Sequence, residues 1–146
     1  MNKILFIITG SIAASRCKEI IALLNINEFK ISCILTKEAK KYVKISDIKK
    51  LLKNRIFTDE DEKKNKMLHI NLSRDNDIIV MCPATANSIA KFANGYGDNL
   101  ASNTLLASNK KILFVPAMNS FMWHNKINQK NVKLLKDSGH EFIGPT

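Results

Sequence analysis

The stretch "KILFIITGSIAASRCKEIIALLNINEFKISCILT", residues 3–36, decides the fold class. Its first part, "KILFIITG", is an apolar run ending in glycine, as is typical of a buried strand, and "FKISCILT" at 29–36 has the same character. Between them, "SIAASRCKEIIALLN" has apolar residues at helical spacing. A strand, a helix and a strand in this order predict a βαβ unit with parallel strands.

The rest of the chain continues this alternation. The sequence predicts two further strands, "NDIIVMCP" (76–83) and "KKILFVP" (110–116), and a terminal strand stub, "HEFIGPT" (140–146). Helices are predicted over 85–95, 98–108 and 125–139, and the lysine-rich part from Lys37 to Lys66 is predicted to be helical with a loop at "TDEDEKKNK" (58–66). We therefore expect one α/β domain over 1–146, a doubly wound, Rossmann-like parallel sheet with its ligand site at the carboxyl ends of the strands.

Length and composition agree with a single globular domain. The 146 residues are 45% hydrophobic and 25% charged, which is enough apolar material for a core. The longest apolar runs are too short to span a bilayer, and the N-terminus lacks a convincing cleavage region. We expect a cytoplasmic protein with no membrane partner. Cys17, Cys33 and Cys82 are odd in number and widely spaced, which indicates reduced structural thiols rather than disulfides or a metal site.

The formal net charge of +10 is carried almost entirely by lysine. The lysines are spread along the chain with little aromatic interleaving, so they predict solvated helix faces and no nucleic-acid partner. Such a charge still favours anionic, phosphate-bearing ligands.

Polar groups follow the predicted strands at their carboxyl ends. After the first strand, Gly10 permits a tight turn and Ser11 places a hydroxyl at a helix N-terminus, where free N–H groups and the helix dipole favour an anion. This loop fits either a phosphate cradle or a simple helix cap. The ends of the other strands carry Thr36, then Thr85, Asn87 and Ser88, then Asn119. Neutral donors and acceptors of this kind suit a polar heterocycle with a phosphate tail.

Three segments carry a resemblance to a known family. "GSIAAS" (10–15), "LHINLSRDNDIIVMCPATANSIAKFANGYGDNLAS" (68–102) and "VPAMNSFMW" (115–123) resemble the phosphate loop, the histidine and "PASANT"-type segment, and the "PXMNXXMW" motif of the flavin-dependent cysteine decarboxylases. The match runs from near residue 3 to the last residue. The flavin prenyltransferases share the fold, but they are expected to lack the "PAMN" segment.

The resemblance implies a set of site residues and FMN as the cofactor. His69 matches the catalytic histidine and Asn119 the substrate-binding amide, whereas His124 and His140 match no catalytic position and are expected at the surface. Asn119 could instead cap the following turn. The implied FMN-binding residues are Gly10, Ser11, Ile12, Thr36, Lys37, Glu38, Thr85, Ala86, Asn87, Ser88 and Ala117.

The resemblance also implies an activity and an assembly. The activity is the decarboxylation of 4'-phosphopantothenoylcysteine to 4'-phosphopantetheine in coenzyme A biosynthesis, through oxidation of the cysteine moiety by FMN and return of the hydride. The assembly is a homotrimer or a multiple of trimers. Met118, Met122 and Trp123 would pack the motif segment or a subunit interface.

The chain departs from the family pattern at its C-terminal end. Family members continue into a flap with a reactive cysteine, and often into a ligase domain, and the sequence ends at Thr146 with neither. Either the C-terminus is truncated here, or the chain is a stand-alone variant with an altered second half-reaction. An FMN-binding regulatory protein of the same fold and a peptidyl-cysteine decarboxylase remain alternatives to the implied activity.

Overall fold

The computed structural model describes residues 2–145, which form a six-stranded parallel sheet flanked by helices. The strands are β1 (Lys3–Ile8), β2 (Lys30–Leu35), β3 (Ile56–Phe57), β4 (Ile78–Ala84), β5 (Ile112–Pro116) and β6 (Glu141–Phe142). The helices are α1 (Cys17–Ile26), α2 (Ile45–Leu52), α3 (Asp59–Lys64), α4 (Leu68–Arg74), α5 (Ala86–Ala93), α6 (Leu100–Ala107), α7 (Ser120–His124) and α8 (Lys126–Asp137). A 3-10 turn, Ile12–Arg16, leads into α1, and another lies at Ala39–Lys41.

The order of the strands in the sheet is β3-β2-β1-β4-β5-β6, with every pair parallel. The chain runs outward from β1 to β3, then crosses back to β4 beside β1 and runs outward in the other direction. Ligands of doubly wound sheets bind where this direction reverses, outside the carboxyl ends of the strands. In this chain that point lies between β1 and β4.

The central strands of the sheet are buried on both faces because most of their residues are apolar. On β1, Leu5 and Ile7 join one core cluster with α4, α5, α6 and α8, while the alternate residues Phe6 and Ile8 join a second cluster with α1 and α2. Continuous apolar strands are what a parallel sheet covered on both faces requires. The predicted doubly wound α/β fold is confirmed.

Two parts of the predicted element pattern are wrong. The segment 58–66, expected to be a loop, contains α3, which begins with a capping box between Thr58 and Asp61. The lysine-rich region also contains β3, a strand of only two residues at the edge of the sheet. In addition, β4 does not end at Pro83 but continues to Ala84, with a register irregularity between Met81 and Ala84.

Candidate cofactor site

A cavity of about 230 Å³ lies at the reversal point of the sheet. The ends of β1, β2 and β4 and the N-terminal turns of α5 and α6 surround it. Its lining residues are Thr9, Gly10, Thr36, Glu38, Met81, Thr85, Asn87, Ser88, Lys91, Phe92, Asn99, Ala101, Ser102 and Leu105.

Capped helix N-termini meet at this cavity. The Thr85 hydroxyl accepts a hydrogen bond from Ser88 N at 3.1 Å and caps α5, and Asn99 Oδ1 accepts from Ser102 N at 2.8 Å and caps α6. Ser11 likewise accepts from Ala13 N, at 3.2 Å, at the start of the 3-10 turn. The free N–H groups and dipoles of such helix ends favour an anionic group.

Gly10 provides the close approach that shapes this loop. A Cβ at this position would come within 3.0 Å of Glu38 Cβ and lie 3.1 Å from the Glu38 carbonyl carbon. A larger residue would therefore push apart the turns that follow β1 and β2. Thr9 holds the neighbouring turn by donating a hydrogen bond from its hydroxyl to the Pro83 carbonyl.

The cavity combines polar groups with an apolar wall. Met81, Phe92 and Leu105 supply the apolar surface, while the hydroxyl and amide groups come from the loops and helix caps. This donor set fits a flavin nucleotide, because the ring needs an apolar surface and the phosphate needs N–H and hydroxyl donors. Within residues 2–145, no group of three or more His, Cys, Asp or Glu side chains is arranged to hold a metal ion.

About half of the predicted cofactor residues line the cavity. These are Gly10, Thr36, Glu38, Thr85, Asn87 and Ser88. The other predicted residues, Ser11, Ile12, Lys37, Ala86 and Ala117, are not part of its lining. Ile12 points into solvent with 79% of its surface exposed, and Lys37 instead lines a neighbouring cavity of about 650 Å³ with mixed charges.

His69 lies outside the cavity lining. It is the second residue of α4 and is half-buried, and its Nδ1 lies 3.8 Å from Glu62 Oε2. Both of these atoms are buried without a hydrogen-bond partner. A buried polar atom left unpaired costs about 1–3 kcal/mol of folding free energy. This arrangement is therefore destabilising unless the two groups interact with each other.

Asn119 also lies outside the cavity lining, and it is exposed in the loop between β5 and α7. Its Oδ1 accepts from Met122 N at 2.9 Å, so the side chain caps α7. The apolar residues of this motif divide into two groups. Met118 and Trp123 pack against the core, whereas Phe121 and Met122 are exposed, Phe121 by 90%.

Sequence reasoning left several lining residues out of the predicted set, although it noted that Asn99 could cap a helix or lie beside the flavin. Asn99 and Ser102 form a reciprocal capping box, in which Ser102 Oγ accepts from Asn99 N at 3.0 Å, and both residues line the cavity. The capping residues before "LASNTLLA" indicate a helix N-terminus at the carboxyl edge of the sheet. Such a helix N-terminus can bind an anion, so the pattern points to Asn99 and Ser102. No comparable signal marks Met81, Phe92 or Leu105, which read as core residues.

The three cysteines are free and buried. The Cys17 thiol donates a hydrogen bond to the Cys82 backbone carbonyl at 3.1 Å. Burial raises the pKa of Cys33, and the neighbouring Cys82 thiol, together with burial, raises the pKa of Cys17. The neighbouring Cys17 thiol lowers the pKa of Cys82. Because each thiol is buried, these residues act as small core side chains, as the sequence predicted.

Among the residues that the structure describes, no helix has both the length and the apolar character needed to cross a membrane.

The fold and the cavity together define a Rossmann-like protein whose crevice, at the reversal point of the sheet, suits a flavin nucleotide. The Flavoprotein family model matches residues 1–146, and the chain belongs to this family. The predicted resemblance is thereby confirmed, and the cofactor of the family is a flavin.

Two curated relatives illustrate the range of the family. The chain is 31% identical to the probable phosphopantothenoylcysteine decarboxylase of Streptococcus mutans, over 99% of this chain and 83% of that protein. It is 32% identical to the epidermin decarboxylase of Staphylococcus epidermidis, over 99% of this chain and 78% of that protein. Both names describe decarboxylases, which are carboxy-lyases. The chain spans only 35–37% of several bifunctional coenzyme A biosynthesis proteins to which it is also similar.

A solved structure of a decarboxylase is similar to this chain. A cysteine-to-serine mutant of PPC decarboxylase, in complex with pantothenoylaminoethenethiol, has a TM-score of 0.85 and 28% identity, over 99% of this chain and 82% of that chain.

Proposed function

We propose that the protein uses FMN to decarboxylate 4'-phosphopantothenoylcysteine to 4'-phosphopantetheine in coenzyme A biosynthesis. The observation that carries the proposal is the cavity between β1 and β4, where capped helix N-termini face an apolar wall. The name and coverage of the Streptococcus mutans relative support the substrate.

The chain's residues divide into binding and proton-handling groups. Gly10, Thr85 and Ser88 would hold the FMN phosphate, and Met81 and Phe92 would contact the ring and exclude water from it. When bound, FMN supplies the oxidation and reduction of the substrate's cysteine moiety. Asn119 would orient the substrate carboxylate, and the imidazole of His69 would accept or donate a proton.

We further propose that the active enzyme is a homotrimer or a multiple of trimers. The cavity of about 230 Å³ in one chain is smaller than the roughly 300–1,000 Å³ of typical ligand pockets, and neither His69 nor Asn119 lines it. A second copy that brings these residues to the cavity would complete the site. The exposed side chains of Ile12, Phe121 and Met122 supply apolar surface for such a contact.

We also propose that the chain forms one domain and that the protein is cytoplasmic. We take residues 1–146 as a single FMN-binding domain, since one sheet and its two covering layers account for the core. Three free, buried thiols fit the reducing cytoplasm.

A peptidyl-cysteine decarboxylase is the second candidate. The epidermin decarboxylase relative, at 32% identity and with similar coverage, supports it. The two candidates differ in what carries the cysteine, which is a small phosphorylated molecule in the first and a peptide C-terminus in the second.

The deciding experiment is mass spectrometry of products after incubation of the FMN-loaded protein with 4'-phosphopantothenoylcysteine, and in parallel with a peptide ending in cysteine. We expect 4'-phosphopantetheine from the first substrate, and no product from a His69→Asn variant. A product two hydrogens lighter would show that oxidation and decarboxylation occur without the final reduction. Turnover of the peptide alone would replace the first candidate by the second, and no turnover with FMN bound would favour a regulatory flavoprotein.

A further inference from the structure

Two buried side-chain atoms face each other without any other partner. Within residues 2–145, Glu62 Oε2 and His69 Nδ1 are the buried side-chain nitrogen or oxygen atoms that lack a hydrogen bond. They lie 3.8 Å apart, on α3 and α4. The separation exceeds a direct hydrogen bond, and a small rotation of either side chain closes it.

The carboxylate of Glu62 is held from its other side. Asn103, on α6, donates from Nδ2 to Glu62 Oε1 at 3.1 Å. A second hydrogen bond also joins α6 to α3, from Leu100 N to Asp59 Oδ1 at 3.0 Å. Because α3 is fixed to α6 in this way, Glu62 Oε2 remains directed at the imidazole instead of turning to solvent.

From this geometry we propose that Glu62 is a positioning residue that fixes the tautomer of His69. A carboxylate beside Nδ1 keeps the proton on that nitrogen, so Nε2 carries the free lone pair and becomes the nitrogen that exchanges protons. The inference rests on the proposed function, in which His69 handles a proton. Asn103 supports the arrangement by orienting Glu62.

A purely structural ion pair is the competing explanation, and the two make different predictions. An ion pair that only joins α3 to α4 affects stability and leaves the tautomer unspecified. A positioning carboxylate acts on the protonation site of the ring, and its loss changes catalysis more than substrate binding.

The test is nitrogen NMR of the protein labelled with 15N-histidine, recorded under mildly alkaline conditions. The His69 signals are assigned by their loss in the His69→Asn variant. We expect wild-type His69 to be protonated at Nδ1, and Glu62→Gln to shift it towards a mixture of tautomers. Glu60→Gln is the matched control, because Glu60 is an exposed acid on the same helix that pairs with Lys63.

Kinetics provide the second measurement. We expect Glu62→Gln to lower kcat by about 10²-fold with little change in KM, and Glu60→Gln to leave both unchanged. An unchanged His69 tautomer in Glu62→Gln overturns the inference, whatever the activity. Because the tautomer is read without turnover, a protein that decarboxylates neither substrate still tests the inference while refuting the proposed function.

A further variant covers the case in which Glu62→Gln fails to fold. Asn103→Ala keeps the carboxylate but releases it from α6. We expect a smaller shift of the tautomer and a smaller loss of kcat than in Glu62→Gln, and identical tautomer populations in Asn103→Ala and wild type would count against the proposed orientation.

Discussion

At the scale of single residues, His140 shows how a polar side chain packs at the border of the core. Its ring packs edge-on against Phe92 and Phe114, with ring centroids 5.4 and 6.1 Å away, and its Nδ1 accepts a hydrogen bond from Ile112 N at 3.1 Å. Burial lowers the pKa of His140. The sequence predicted a surface residue, whereas the ring is partly buried, because the strand that follows His140 pairs with β5.

The lowered pKa of His140 predicts a pH dependence of stability. The unfolded chain takes up a proton at this position near pH 6.5, at a higher pH than the folded chain does, so acid favours unfolding. The stabilisation is present above about pH 6.5 and is lost as the pH falls towards the lowered folded value. We expect thermal unfolding midpoints measured between about pH 7.5 and 5 to fall less steeply in His140→Asn, whose amide oxygen can still accept from Ile112.

His124→Asn is the control for this series. His124 is exposed and packs against none of these rings, so its replacement should leave the wild-type slope unchanged. Parallel slopes for all three proteins would show that His140 does not carry the effect.

At the scale of elements, the sequence predicted best those helices that bury an apolar stripe. The predictions for α5, α6 and α8 lie within a few residues of their observed bounds. α3 escaped prediction because it has no buried residue, so no apolar periodicity marks it, and only its capping box shows in the sequence. β3 escaped because two residues are too few to establish a period.

The caps of α6 and α8 allow a direct test of the cavity at this scale. Asn99 caps α6 at the cavity, and Asn125 caps α8 away from it, accepting from Ile127 N at 2.9 Å. We expect Asn99→Ala and Asn125→Ala each to cost about 1 kcal/mol in the free energy of unfolding by urea. Only Asn99→Ala should also weaken flavin binding several-fold, as measured by fluorescence titration.

Equal losses of flavin affinity in the two variants would mean that the caps act through global stability alone. An unchanged affinity in Asn99→Ala would remove the α6 N-terminus from the cofactor site.

At the scale of the whole molecule, alternation of strands and helices was enough to predict which edge of the sheet carries the cavity. The polar residues at that edge then identified Gly10, Thr36 and Thr85 as part of the cavity. His69 and Asn119 were assigned by resemblance, and one copy of the chain does not bring them to the same cavity. No pattern within a single sequence reports how copies assemble.

The proposed trimer predicts that exposed apolar residues near Asn119 are needed for assembly. We expect Phe121→Ser to shift the sedimentation coefficient from that of a trimer towards that of a monomer while the far-ultraviolet circular dichroism stays the same. Ile26→Ser is the matched control, because Ile26 is also highly exposed, at 77%, but lies at the end of α1. A wild-type protein that sediments as a monomer, or an equal effect of both variants, would contradict this prediction.

The two outer strands of the sheet have a consequence for solubility. β3 and β6 form the two edges of the sheet, and each has only two residues. Few backbone N–H and C=O groups are therefore left unpaired at either edge. A short edge is a poor template for strand addition by another molecule, which is a common start of amyloid-like aggregation. The long apolar strands β1 and β4 lie in the middle of the sheet and are shielded from such pairing while the domain is folded. A concentrated solution of this chain should therefore resist fibril formation until heat or denaturant opens the sheet.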